Sequence, residues 1–351
     1  MKCNGNISIS IIIPYYNADA YIGDILEDLL HQDISAEEYE IIVVDDGSTE
    51  NIDTLRSYCA QYSCIRYFLI KHAGLSTARN IGLEAAKGEY VFFCNSDDRV
   101  KRNVLGQLYE IAVNKNLEVL FFNRLMLQEK ECLPDSQNSK SLNSPVISGD
   151  AYFACHPGMC LAVWCYFSKR EFLIRENLYF PNNVFLVEDR MFTISLLLAA
   201  SRVSHIDIDV YYYIQRPGSL IHGVAEIRQA KRSADCRLQY IQYMSQILND
   251  HNLLSRESLK NEKDLTAFKT LHNAFRYLNI SQNRHILRKL RDMDAYPITR
   301  LEFPNRFHRF VQWTMNHSAL WMTCCMLFHV VPSCLRKKFL CDINVHNKEP
   351  Q

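Results

Sequence analysis

The sequence predicts an α/β fold: a mostly parallel sheet flanked by helices, followed by an α-helical C-terminal extension. Three observations predict it. Buried-strand and amphipathic-helix patterns alternate over residues 7–122. Apolar strand runs end abruptly in polar clusters. Beyond His222 the apolar spacing turns helical, with few strand signals.

The elements follow in order. Ile7–Ile13 (ISISIII) is β-branched, closed by Pro14, and reads as a buried strand. Asp19–His31 carries Ile22, Ile25, Leu26, Leu29 and Leu30 at helical spacing. Tyr39–Val44 (YEIIVV) is a second buried strand. It runs into the turn Asp45-Asp46-Gly47-Ser48 and a helix near Ile52–Tyr62. Ile65–Ile70 is a third strand, and Ser76–Ala86 a helix stopped by Gly88. Tyr90–Cys94 is a fourth strand, followed by Asn95-Ser96-Asp97-Asp98 and a helix near Val104–Asn114. Leu117–Phe122 is a fifth. Residues 128–145 are polar and rich in Ser, Asn and Pro, as in a surface loop. Ser148-Gly149-Asp150 reads as a helix cap, Glu188–Ala200 as a helix and Arg202–Ile214 (RVSHIDIDVYYYI) as a returning strand. The boundary expected from this pattern separates an α/β domain, 1–222, from a helical domain, 223–351.

The totals bound the rest. With 351 residues, 48% hydrophobic and 22% charged, the chain can bury a large core and is not a disordered one. Lys plus Arg and Asp plus Glu number 39 each, so net charge argues neither for nor against nucleic acid; no nucleic-acid partner is expected. The 13 cysteines are scattered, and only Cys324-Cys325 are adjacent. No CxxC pair suggests zinc, and reduced thiols in a cytoplasmic protein are expected. The run Ile7–Ile13 is too short for a secretory signal and lacks a small-residue cleavage site.

In an open parallel sheet, ligands bind at the carboxyl ends of the strands. Pro14-Tyr15-Tyr16-Asn17, Asp45-Asp46-Gly47-Ser48 and Asn95-Ser96-Asp97-Asp98 each follow a predicted strand, and Glu188-Asp189 opens a helix. One such cluster is ordinary turn chemistry; the set predicts a common rim.

IIIPYYN, IIVVDDGS, GLSTARNIGLEAAKGEYVFFCNSDD, VEDR and QRPGSLIH occur in this order over residues 7–222. Together they resemble the family 2 glycosyltransferases with the Rossmann-like GT-A fold. The resemblance implies inverting transfer of a sugar from a nucleotide-sugar donor, a UDP-sugar, to a hydroxyl acceptor, with Mg²⁺ or Mn²⁺ as cofactor. By resemblance alone, the acceptor is a glycan or lipid-linked glycan of cell-surface polysaccharide.

It also implies roles for residues. Tyr16, with Pro14 and Asn17 beside it, is expected to stack on the uracil, since an aromatic ring matches a flat pyrimidine; Tyr15 is expected to be structural. Asp45 or Asp46 would read the base or ribose, while a turn carboxylate capping the next helix is the plain alternative. Arg79 would lie near the nucleotide end, where a planar guanidinium suits phosphate or a site carboxylate. Asp97 would hold the divalent metal that neutralises the leaving diphosphate, with His222 as a second candidate. Family members commonly carry Asp where this chain has Asn95. The amide, beside Ser96, can still contact ribose. On that view Asn95→Asp retains or raises activity. In the Glu188-Asp189 pair, Asp189 is chosen as the general base; capping of the helix start competes with that role. Arg216 would offset phosphate charge.

The tail mixes Phe307, Phe310, Trp313, Leu320, Trp321 and Leu327 with Arg306, Arg309, Arg336, Lys337 and Lys338. That mixture suits a helix on a membrane surface and equally a core helix. Residues 318–335 are interrupted by His329 and Pro332, which speaks against a span. A cytoplasmic enzyme, peripheral on the inner membrane face, is expected. The rivals are a non-catalytic nucleotide-sugar-binding homologue, supported by Asn95, and a nucleotidyltransferase, which would want a Gly- and Lys-rich loop where PYYN stands. A dehydrogenase would need a GxGxxG after a strand, and none occurs.

Overall fold

The computed structural model describes residues 7–129, 131, 133, 134, 144–216, 227–301, 306–318, 320, 321, 323 and 324. The chain divides into two compact units, residues 1–222 with 253–255, and residues 223–252 with 256–351.

In the first unit the elements run β1 (Ile9–Tyr15), α1 (Asp19–Leu30), β2 (Tyr39–Asp45), α2 (Asp53–Gln61), β3 (Ile65–Leu69), α3 (Leu75–Ala85) and β4 (Tyr90–Phe93). Then come β5 (Arg99–Val100), α4 (Leu105–Asn114), β6 (Val119–Gln128), α5 (Gly149–Cys155), β7 (Tyr166–Lys169), α6 (Arg170–Arg175), α7 (Glu188–Ala199) and β8 (Val203–Gln215). They build one eight-stranded sheet in the order β3-β2-β1-β4-β7-β6-β8-β5.

The sheet's first half is parallel: β1 pairs with β2 and β4, and β2 with β3. Its second half is mixed. β7 runs antiparallel to both β4 and β6, β6 is parallel to β8, and β5 lies antiparallel on β8. β1, β2 and β4 are buried along their whole length, which is why they read as unbroken apolar runs. α1 buries Ile22, Ile25, Leu26 and Leu29 on one stripe. Each such side chain stabilises the fold by about 1.5–3 kcal/mol relative to exposure.

One packing detail sets the position of the site. α3 lies hard against β1, because a Cβ at Gly82 would come 2.3 Å from Ile12 Cγ2. Arg79 stands three residues earlier on the same helix and is thereby carried to the carboxyl rim of the sheet. Asp28 is a second fixed point: fully buried on α1, it accepts from Arg99 Nε at 2.5 Å and Arg102 Nε at 2.9 Å. This pair ties α1 to the chain just after β4.

The second unit contains α8 (Ile227–Ile247), α9 (Arg256–Tyr277), α10 (Ile280–Asp292) and α11 (Arg306–Asn316). α10 starts in a capping box: Asn279 Oδ1 accepts from Gln282 N at 2.9 Å, and Gln282 Oε1 accepts from Asn279 N at 2.9 Å. The tail aromatics divide. Trp321 is buried, its ring 4.9 Å from that of Phe275, while Phe310 and Trp313 are 60% and 52% exposed. Residues 325–351, including Leu327, Arg336, Lys337 and Lys338, lie outside the described residues. Among those described, no helix is long and apolar enough to cross a membrane.

Candidate active site

The loops after β1, β2 and β4 and the start of α7 gather at the rim predicted for ligand binding. Asn17, at φ 48, joins two of them. Its Oδ1 accepts from Thr49 N at 2.9 Å and Glu50 N at 3.2 Å, and its own N–H donates to Ser48 Oγ at 2.9 Å. Asn17 therefore staples the loop after β1 to the loop after β2. Pro14 is buried within β1, opposite Val44. Tyr15 is buried as expected, and Tyr16 is 46% exposed. The Tyr16 ring stands 4.8 Å from that of His72, tilted by 36°.

Both aspartates after β2 are buried and engaged within the fold. Asp45 accepts from Ser48 N at 2.8 Å and Tyr67 Oη at 2.7 Å. Asp46 Oδ1 accepts from Ala73 N at 2.7 Å, and its Oδ2 from Gly74 N at 2.9 Å. His72 Nδ1 lies 3.0 Å from Asp46 Oδ2. Asp45 thus makes a turn contact, while Asp46 ties the end of β2 to the start of α3. The sequence pattern did not single out His72, which sits beside the exposed Tyr16 ring and carries no motif signal.

The chemically dense part centres on Arg79, only 2% exposed. Its guanidinium donates to Asp189 Oδ1 and, at 3.2 Å, to Asn95 Oδ1. It also stands 5.1 Å over the ring of Phe180. Asn95 passes the network on, donating from Nδ2 to Asp98 Oδ2 at 2.9 Å and from its backbone N to Tyr211 Oη at 3.0 Å. Asp98 also accepts from Tyr211 Oη at 2.7 Å and Ile214 N at 2.9 Å, which ties the turn to β8. Burial and the neighbouring Asp97 push the Asp98 carboxyl up to about 7.

These contacts give a physical reason for Asn95. Its amide serves a cation on one side and a carboxylate on the other, using its acceptor and its donor at once. An aspartate there would set two carboxylates 2.9 Å apart. Asn95 thus has a bridging role within the protein, beside the ribose contact expected of it.

Asp97 is the carboxylate of the turn that faces outward, 41% exposed, with Ser96 buried beside it. Arg216 donates to the Asp97 carbonyl and lies 3.7 Å from its carboxylate. Arg216 is itself buried, its guanidinium 4.2 Å over the ring of Tyr21. Glu188 is 8% exposed, and its Oε2 has no hydrogen-bond partner among the described residues. Burial, and then the charge of Asp189, push its carboxyl up to about 7. Asp189 remains 21% exposed. The structure thus brings Arg79, Asn95, Asp98 and Asp189 into one network and sets Arg216 against Asp97. His222 and residues 217–221 lie outside the described residues.

The mixed sheet with its flanking helices has the GT-A fold. Residues 10–137 match the model for Glycosyl transferase family 2. It is 31% identical over 216 residues to the uncharacterised glycosyltransferase EpsJ of Bacillus subtilis (strain 168), covering 60% of this chain and 62% of that protein. It is 30% identical over 218 residues to the poly(ribitol-phosphate) beta-glucosyltransferase of Bacillus spizizenii, covering 60% of this chain and 33% of that one. The chain thus spans less than two thirds of the length of either relative. In fold it is similar to S. aureus TarS 1–349 in complex with UDP-GlcNAc, with a TM-score of 0.56 and 20% identity, over 89% of this chain and 92% of that one.

Proposed function

We propose that the chain is an inverting glycosyltransferase that moves a sugar from a uridine-diphosphate donor to a hydroxyl of a glycan or lipid-linked glycan, in cell-surface polysaccharide synthesis. Residues 1–222 would carry the reaction and residues 223–351 form the helical domain. One observation carries the reading. The Arg79–Asp189 pair is joined through Asn95 to the turn that presents Asp97.

An in-line displacement needs a base for the acceptor hydroxyl and neutralisation of charge on the leaving diphosphate. Asp189 would take the proton as the acceptor oxygen bonds to the anomeric carbon, and the bond from that carbon to the diphosphate oxygen breaks on the opposite face. Arg79 holds Asp189 in place through a rigid fork. Arg216 stands where it can offset phosphate charge, and the exposed face of Tyr16 can stack on the uracil. Known relatives support the substrate classes: one is named for a poly(ribitol-phosphate) acceptor, and a structural neighbour holds UDP-GlcNAc.

The residues fit a hard divalent cation, Mg²⁺ or Mn²⁺. Asp97 presents an oxygen donor at the outward side of the turn. No group of three metal-ligating side chains forms among the described residues, so phosphate oxygens and water would complete the coordination shell. Such an ion supplies neutralisation of the departing diphosphate.

A screen of nucleotide sugars for Mn²⁺-supported hydrolysis, run on the wild type and Asp189→Asn, tests the proposal. The expected result is hydrolysis of a UDP-sugar by the wild type. In the variant, kcat should fall by about 10²–10⁴-fold with donor affinity little changed. Near-normal kcat in the variant would move the base to Glu188 or elsewhere. Failure to bind any nucleotide sugar in the panel would sink the transferase reading.

A further inference from the structure

The helical unit contains an open cavity of about 620 Å³ where the C-terminal ends of α8 and α10 meet the first turns of α9. Its basic lining is Arg256, Lys260, Lys263, Lys289 and Arg300, with His251. Asp292 and Asp294 are the carboxylates of the lining. Arg256, Lys260 and Lys263 recur at helical spacing and share one face of α9.

Three of these cations have evident structural work. Arg256 donates to the carbonyls of Leu248 at 2.6 Å and Asp250 at 2.9 Å, closing the end of α8. Lys260 pairs with Glu257 on its own helix, and Arg300 lies 3.7 Å from the buried Asp264. Lys263 is different. It is only 6% exposed, yet its ammonium has no hydrogen-bond or ion-pair partner among the described residues. Lys289, exposed on α10, has none among them either. Burial lowers the Lys263 ammonium below the ordinary lysine range, and the carboxylates that act on it, Asp294 and Asp264, offset this only in part. An anion seated in the cavity would offset the remainder.

We propose that this cavity binds a phosphate-bearing anion, a phosphate mono- or diester, through Lys263 and Lys289 with Lys260 and Arg300 alongside. Five cationic side chains against two carboxylates favour a compact anion of high charge density, and lysine ammonium groups engage phosphate as point charges. The volume exceeds that of one phosphate and leaves room for the glycerol or sugar esterified to it. The inference concerns the helical unit alone and does not depend on the reading of the transferase site.

Hydrogen exchange on the full chain, without divalent metal, tests it. One arm adds sn-glycerol phosphate as the soluble ester. The other compares vesicles of phosphatidylglycerol with vesicles of phosphatidylcholine. Each is run on the wild type, Lys263→Met and Lys289→Glu. The expected result is saturable protection of residues 242–249, 256–263 and 289–294, with affinity weakened at least about tenfold in each variant, as for the loss of one charge-assisted hydrogen bond. Protection by the soluble ester identifies a ligand in solution, and protection by phosphatidylglycerol alone identifies a lipid headgroup; either supports the site. Absence of protection in both arms, or protection unchanged in both variants, overturns it. Lys289 is on the surface, so its variant remains informative if Lys263→Met fails to fold.

Discussion

Glu188→Gln should convert a pH-dependent stability into a nearly flat one. Glu188 is 8% exposed with Oε2 unpartnered among the described residues, and its carboxyl rises from 4.5 to about 7 through burial and the adjacent Asp189. The folded chain therefore holds this proton more tightly than the unfolded chain. The stability this provides is fully present below about pH 4.5 and is lost as pH rises to about 7. At ~1.36 kcal/mol per unit of pKa, the gap amounts to at most ~3.4 kcal/mol. Glutamine keeps the shape and cannot ionise. Urea unfolding of both proteins from pH 4.5 to 8.5, followed through the transition of the α/β domain, checks this. The variant should gain on the wild type by up to ~1.4 kcal/mol per pH unit between about pH 5 and 7, then hold a constant lead. Asp189→Asn should move that window to lower pH, because it removes the second cause of the shift. A difference between Glu188→Gln and wild type that stays constant across the whole range would refute the reasoning.

Three other outcomes follow from the site and the tail. Asp97→Ala should abolish transfer, and excess chelator should do the same to the wild type; full turnover in chelator would remove the metal from the mechanism. Asn95→Asp should lower kcat/KM at least about tenfold, since it exchanges a satisfied donor for a carboxylate facing Asp98, and Asp98→Asn in the same chain should restore much of the loss; wild-type activity in the single variant would return Asn95 to a ribose contact. The intact protein should co-sediment with anionic liposomes at low salt and release at high salt, because Phe310 and Trp313 are exposed one turn apart on α11 while Met315 is buried; a protein that stays in the supernatant at both salts has no interfacial tail.

How much of this was legible in the sequence depended on burial. β1, β2 and β4 are covered on both faces, so their apolar runs were unbroken and their ends could be placed within a residue or two. β5, two residues long, and β7, YFSK, are too short to carry a period and were not foreseen. With β7 unseen, the antiparallel turn of the sheet's second half was invisible as well. The site behaved similarly. Arg79, Asn95, Asp97 and Asp189 stood out by residue type and position after strands. Their partnership did not, since Arg79 and Asp189 are 110 residues apart and only the fold brings them together. Asn17 and Asp45 show the converse difficulty: their side chains serve neighbouring backbone, and turn chemistry and ligand chemistry favour the same residue types.

The bridging amide of Asn95 has an evolutionary consequence. An exchange at 79 or 189 alone leaves an ion without its partner, and Asn95→Asp alone sets a carboxylate against that of Asp98, whereas Asp98→Asn alone keeps an oxygen that can accept from Asn95 Nδ2. Paired exchanges, such as Asn95→Asp with Asp98→Asn, preserve the count of donors and acceptors and avoid that clash. Among homologues these four positions should therefore vary as a correlated set, and laboratory evolution starting from this chain should reach an aspartate at 95 only after position 98 has changed first.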